Sequence, residues 1–550
     1  MSERETLNYL KKNLGLDRWW EDFVEGKTAL VEADMDKILR LMPYTDATAS
    51  VEIARKMDHQ LSYVAFTDTW YAWNGIIHVP CNGHGIALKV SKLLWQAMSK
   101  ALGLVKTYYE NAAATLRGNG TPTGPAEATA MMKSYESIWA DHRYYRDRLA
   151  SEAGMTALSR MIRIECDVDE DYFEDDTQWF VMRNWVLDLE ALKEGRWSML
   201  AHDPKRNVTK YFDADYPDDP SKANLHHWDN YLKKAIPDES QRTYLQTAIG
   251  AGFTGIGKLR AIISIVGEPG TGKSLFIDTI GELGSAGGEY SKKASGTSIM
   301  LVNGQNFAQD EYRGARFVYV SEPPTHGKAD DPFLKAITGD GKVKTRTLNK
   351  KETNWLPQCL LVIASNQTLK IDIRDPAIVE RVQQISFPVR FYPQGTPGIP
   401  EDQIQIRGLD KLLLRDRARI LMWVIAGMRR FINDGMVLTP PDSVVVQRDK
   451  LITAGSTALQ WLEEVVEEGI IAIEYDAPKS HFIGVNEAYE HYDAWARRAG
   501  ERKPLTRKYF SKDIQAKYGD VVPSGGKRFQ GLLKTPMWTE KYDNSWMRPA

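Results

Sequence analysis

Between residues 259 and about 390, short, mostly apolar strand candidates alternate with segments whose apolar positions recur every three or four residues. Mostly apolar runs of this length read as buried strands, and the longer period reads as helix. Residues 261–266, 316–322, 359–366 and 382–387 are the strand candidates. Leu275, Phe276, Ile280 and Leu283 mark a helix between the first two. The alternation predicts an α/β core with a parallel sheet. Upstream, residues 1–110 carry helical patterns around one aromatic, strand-like patch at 63–79. There Trp70, Tyr71 and Trp73 precede Asn74-Gly75, a hairpin-turn dipeptide. Residues 118–125, Gly-Asn-Gly-Thr-Pro-Thr-Gly-Pro, form the clearest loop, and a helical segment follows to about 160. Residues 161–220 read as a small mixed region with strands and acidic turns. Residues 221–256 read as helices with Trp228, Tyr231, Leu232, Tyr244, Leu245 and Ile249 on apolar faces. Another helical stretch covers 407–435, Pro440-Pro441 breaks it, and 455–550 give helix, helix and strand.

Composition narrows the partners. The 550 residues carry a formal net charge of −2, so any nucleic-acid contact must come from local basic surfaces. Cys81, Cys166 and Cys359 lie too far apart for a disulfide framework or a zinc pattern, which fits a reducing cytoplasm. The first dozen residues have no signal-peptide core, and no apolar run is long enough to span a bilayer. The expectation is a cytoplasmic protein without a membrane partner.

The chemistry begins where the first strand ends. Residues 267–274 read Gly-Glu-Pro-Gly-Thr-Gly-Lys-Ser, and strand, glycine loop and helix is the context that makes this pattern a phosphate site. Gly267, Glu268, Pro269, Gly270, Thr271, Gly272, Lys273, Ser274 and Leu275 are the expected ATP-binding residues. The glycines let backbone N–H groups face phosphate oxygens, Lys273 reaches the β- and γ-phosphates, and Ser274 holds Mg²⁺. The second strand ends in Glu322, where a carboxylate can polarise an attacking water and also help hold Mg²⁺. The third ends near Asn366, placed to hydrogen-bond the water or γ-phosphate. Arg381 precedes the fourth and is the candidate for an arginine supplied to a neighbouring subunit. Between them, Lys344 and Arg346 alternate with threonines on one strand face, and Lys350 and Lys351 fall at a hairpin tip. A basic hairpin can grip successive phosphates of a nucleic-acid strand.

This ordered series resembles the superfamily 3 helicases, AAA+ ATPases of viruses, phages and small replicons. The residues that carry the resemblance are the phosphate loop, Glu322, residues 334–339, the basic hairpin, Asn366, and residues 375–381 before Phe387-Pro388. Residues 184–189, 202–204, 211–214, 244–250 and 419–427 extend it to the phage and poxvirus-type primase-helicase subgroup. The primase domain itself is not evident, since the first 110 residues show no His-and-carboxylate set. Ser321 stands where that family often has an acid, and Glu380 where it often has a second arginine. The resemblance implies an AAA+ core at 257–440 and a helicase-associated region at 126–220. It also implies a helical collar or oligomerisation segment at 221–256, with an α+β region of unknown role at 1–125. It further implies a homo-oligomeric ring, most often a hexamer, moving on single-stranded or forked DNA, commonly 3′ to 5′, with a primase or polymerase as partner.

Two stretches remain. Eight of the twelve residues at 165–176 are acidic, and Asp167-x-Asp169 could hold two metals, but such runs are usually solvated surface. In the tail, residues 497–534 carry eleven Lys/Arg against three Asp/Glu. Helices at 485–495 and 506–517 and a hairpin at 527–533 predict a winged-helix-like domain within 441–550, which favours DNA contact. The leading expectation is an ATP-dependent replicative DNA helicase of a phage or mobile element. The alternative is an ATP-dependent DNA-binding initiator that assembles replication proteins without processive unwinding.

Overall fold

The computed structural model describes residues 28–169, 171–173, 177–219, 226–256, 258–286, 288–300, 311–324, 329–339, 341–345, 353–369, 371–372, 374–475, 477–478, 480–501, 503–518 and 528–538. The chain divides into two compact units, residues 1–186 with 200–211, and residues 187–199 with 212–550.

In the first unit, strands Leu61–Val64, Thr69–Trp73 and His78–Cys81 form an antiparallel meander. Asn74-Gly75 makes the expected turn. Gly75 takes φ 102°, and the Asn74 side chain accepts from the Ile76 and Ile77 amides at 2.9 Å. Strand Asp167–Val168 adds in parallel beside Tyr63 and Val64. Helix Gly83–Gly118 begins at the Asn82 cap and runs 36 residues, about 54 Å at 1.5 Å per residue. Its stripe of Ile86, Val90, Leu94, Met98, Ala101 and Val105 is buried. One apolar cluster runs from Leu30 to Cys166, through Tyr135, Trp139 and Leu158 of the later helices. The 118–125 loop therefore joins helices of one core. The sequence boundary at 125 differs from this, because neither helical stripe can be covered without the other.

Elements of the second unit are numbered from its own start. Strands β1 (Ile262–Val266), β2 (Ser291–Lys293), β3 (Phe317–Ser321), β4 (Leu360–Ser365) and β5 (Val382–Ser386) form an all-parallel sheet in the order β5-β1-β4-β3-β2. All but the last residue of β1, β3, β4 and β5 are buried, which explains why β1, β3 and β4 are mostly apolar rather than alternating, while β5 buries Gln383 and Gln384 as well. Helices α1 (His226–Ala235), α2 (Glu239–Phe253), α3 (Lys273–Ser285) and α4 (Arg417–Asn433) pack around it. Helix α2 crosses α4 where Gly250 meets Gly427. A Cβ on Gly427 would lie 2.0 Å from the Gln246 carbonyl oxygen. At the end of α2, Phe253 stacks on Phe317 of β3 with ring centroids 5.7 Å apart. The helices at 226–253 thus belong to the core of this sheet.

The C-terminal part has its own cluster of Trp461, Tyr492, Phe510, Phe529 and Trp538. Helices Val485–Arg498 and Arg507–Tyr518 form as expected. The hairpin expected at 527–533 does not. Strand Arg528–Gln530 pairs with Phe482–Gly484, and Leu532–Lys534 pairs with Ile471–Ile473. A single residue, Gly531 at φ 85°, separates them and is too short to reverse the chain. Asp513 ties this part to the connection between β4 and β5. Its carboxylate accepts from Nε and Nη2 of Arg374 and from Ser456 Oγ at 2.7 Å.

Candidate active site

The C-terminal ends of β1, β4 and β5 lie side by side, with Val266 opposite Ser365 and Ser386. Open parallel sheets present their ligand crevice at this edge. Residues 267–272 leave β1 there and close into α3 at Lys273. A Cβ on Gly267 would sit 2.3 Å from the Phe387 carbonyl oxygen, so the loop hugs the end of β5. Gly270 and Gly272 take φ 84° and 91°, a region that glycine enters without steric cost.

Lys273 is only 6% exposed. Its Nζ donates to the carbonyls of Gly267 (2.6 Å) and Glu268 (2.9 Å) and to Asn366 Oδ1 (2.9 Å). Burial pulls the ammonium below its ordinary pKa, while Glu322 and Glu268 pull it back. Two residues chosen from separate sequence segments, Lys273 and Asn366, are thus in contact. Thr271 donates its hydroxyl to the Glu268 carbonyl at 3.0 Å and tightens the loop. Ser274 is exposed in the first turn of α3, and its hydroxyl has no partner among the described residues. Next to it lie N–H groups with no intrahelical acceptor and the positive end of the helix dipole. The loop therefore offers an anion a cation, a helix N-terminus and a free hydroxyl. Mg²⁺-bound triphosphate fits that donor set.

Glu322 follows β3, exposed, with its N–H on the Ala364 carbonyl at 2.9 Å. It has φ 52°, a left-handed conformation that costs a non-glycine residue roughly 1–2 kcal/mol. The Ala364 bond holds that turn at the end of β4. Ser321, beside it, is half-buried.

Arg381 is not brought to this loop. It precedes β5 at the opposite edge, where its carbonyl accepts from Ile262 N–H. Five residues of parallel strand separate the two ends, roughly 17 Å. Its guanidinium donates to the Ala377 carbonyl, and the residue is 9% exposed. Lys344 lies in strand Val343–Thr345, opposite Asn354 of Thr353–Trp355, so the two strands of the basic hairpin are formed. Arg346, Lys350 and Lys351 lie outside the described residues. Asp167 and Asp169 are exposed, and no metal-holding acidic or His/Cys cluster occurs among the described residues.

One component escaped the sequence. A cavity of about 510 Å³ adjoins the loop, lined by His227, Tyr231, Gly272, Leu275, Phe391 and Ile406 among others. Its wall at 391–406 is tied to the loop by Phe391 N–H on the Gly270 carbonyl at 2.9 Å. The lining comes from three distant segments. The only sequence signal was apolar residues within a Pro/Gly-rich stretch lacking either period, which reads as plain loop.

Residues 265–381 match a family described as a family of unknown function (DUF5906), and this interval holds the loop, Glu322, Asn366 and Arg381. Residues 52–237 match the family described as D5 N terminal like. The chain is similar to a viral helicase-type protein. That relative is the "Putative helicase L207/L206" of Acanthamoeba polyphaga mimivirus, 25% identical over 191 residues, which are 33% of this chain and 19% of the relative. The chain thus spans about a fifth of that protein's length. Among solved structures, an apo form of the NrS-1 C terminal region aligns over 60% of this chain and 83% of its own, at TM-score 0.34 and 13% identity. A second apo structure of that region gives 0.32 and 15%, over 60% and 82% of the two chains. No described helix is long and apolar enough to cross a membrane.

Proposed function

We propose that this chain is an ATP-dependent replicative DNA helicase of a phage or mobile element, working as a ring, most often a hexamer, on single-stranded DNA. The observation that carries the reading is the Lys273–Asn366 contact at the ends of β1 and β4, beside a cavity sized for a nucleoside. The viral relative's name supports the helicase assignment. In this reading Lys273 exchanges the loop carbonyls for the β- and γ-phosphates, and the loop amides hold the same oxygens. Ser274 and Glu322 would hold Mg²⁺, which would offset charge on the transferred phosphoryl group. Glu322 takes the proton of the attacking water, and Asn366 orients it. Arg381 serves a neighbouring subunit, which requires its guanidinium to leave the Ala377 carbonyl.

The DNA grip in this reading is the hairpin with Lys344, Arg346, Lys350 and Lys351. Lys350→Ala with Lys351→Ala is expected to weaken single-strand binding about tenfold at moderate salt, since two phosphate contacts are lost. ATP hydrolysis should persist while unwinding stops. Unchanged unwinding would move the grip to Lys344 and Arg346 or off the hairpin.

Strand displacement from forks of both polarities, with ATP, tests the function. The expected result is unwinding of one polarity. ATP-dependent DNA binding without displacement on either fork overturns the motor and leaves the initiator.

A further inference from the structure

We propose that Tyr231 is a positioning residue that couples the nucleoside cavity to the phosphate loop, an inference that rests on the ATPase reading above. Its hydroxyl donates to the Gly272 carbonyl at 2.7 Å. That oxygen also accepts from Phe276 N–H at 3.0 Å, as the first carbonyl of helix α3. Gly272 has no side chain to cap the helix and sits at φ 91°. A Cβ there would be 3.0 Å from the Tyr231 ring, so the ring lies flush against the loop.

The peptide unit explains why this contact matters. The Gly272 carbonyl and the Lys273 N–H belong to one planar trans peptide and point in opposite directions. Fixing the oxygen from behind therefore fixes the N–H that faces the phosphate side. Tyr231 adds, from outside the loop, a second donor to the one that Phe276 supplies from α3.

The same ring lines the cavity. His227, Tyr231 and Lys234 stand at i, i+4 and i+7 of α1, hence on one face. Helix α1 is itself anchored. The Asp416 carboxylate accepts from His227 N–H at 3.1 Å, and Trp228 stacks on Phe276 of α3 at 5.7 Å. A base seated in the cavity touches the ring whose hydroxyl sets the Lys273 amide. The apolar ring serves nucleoside binding and the hydroxyl serves phosphoryl transfer.

The two halves separate kinetically. In the full-length chain, Tyr231→Phe is expected to lower kcat for ATP about fivefold to tenfold, the loss of one positioning hydrogen bond, with KM within twofold. Tyr231→Ala should lower kcat to the same degree and also raise KM severalfold. Thermal melting of both variants runs in parallel, since a merely structural tyrosine would move kcat, KM and Tm together. A Tyr231→Phe protein with parental kcat overturns the proposal, and so does a kcat loss matched by an equal rise in KM. If the parent chain hydrolyses no ATP, the ATPase reading has failed instead. In that case 2.7 Å of hydrogen bond has no turnover to control.

Discussion

Lys273→Ala is expected to lower ATP hydrolysis by on the order of 100- to 1,000-fold, the loss seen when a preorganised donor to developing charge is removed. The argument is geometric. Lys273 is the cation inside the loop, and it contacts both the β1 side, through Gly267 and Glu268, and the β4 side, through Asn366. No other lysine or arginine in the described structure donates to those carbonyls. Because burial already lowers its pKa, the ammonium is held at a cost that a phosphate group would relieve. Steady-state phosphate release, measured beside a melting curve, checks this. Turnover near the parental rate in a folded variant removes the site from 267–274. Lys273→Arg serves as the charge-retaining control and is expected to fail nearly as badly, since a planar fork does not fit the space of a compact ammonium.

Gly427→Leu should unfold the second unit at markedly lower temperature. The Gly250–Gly427 crossing leaves no room: a Cβ at 427 meets the Gln246 carbonyl oxygen at 2.0 Å, and one at 250 meets Met428 N at 2.3 Å. Both obstacles are backbone, so no rotamer change relieves them. Overpacking costs about 3 kcal/mol at the upper end of the usual range, roughly 4 °C in Tm for a unit of this size. Differential scanning fluorimetry reads it, with Gly427→Ala expected between the parent and leucine. A melting curve unchanged by leucine would mean that α2 and α4 do not cross at these glycines. Since α2 ends in Phe253, stacked on β3, the same variant is expected to weaken nucleotide binding from a distance.

The parallel sheet was legible because its strands are buried on both faces, which makes β1, β3 and β4 mostly apolar; β5, with Gln383 and Gln384 buried, carries that signal only weakly. The Asn74-Gly75 turn was legible because two adjacent residues decide it. The turn from β1 into α3 at 267–272 was legible for the same reason, since Gly270 and Gly272 set it locally. The misread features are non-local. The 118–125 loop looks like a boundary until the helices on both sides are seen sharing one core. Gly531 looks like a hairpin turn until the partners of its two strands are known. The cavity draws its wall from residues 227–234, 270–275 and 391–410, each unremarkable alone. Arg381 shows the limit for single residues. Sequence order placed it correctly before β5, but only the parallel register shows that this is the far edge from the loop.

The nested strand pairs 471–473/532–534 and 482–484/528–530 bear on synthesis. Segments 471–473 and 482–484 are translated some fifty residues before the partners at 532–534 and 528–530 that complete them. Phe529 and Leu532 also fill the cluster around Trp461 and Phe510. Until residue 534 has left the ribosome, this part of the chain carries open strand edges and an unfilled core, the state most prone to mispairing with another nascent copy. Several chains made on one message would be at risk together. A premature stop before residue 528 is therefore worse than a shortened protein: it fixes the chain in the form that chaperones must hold.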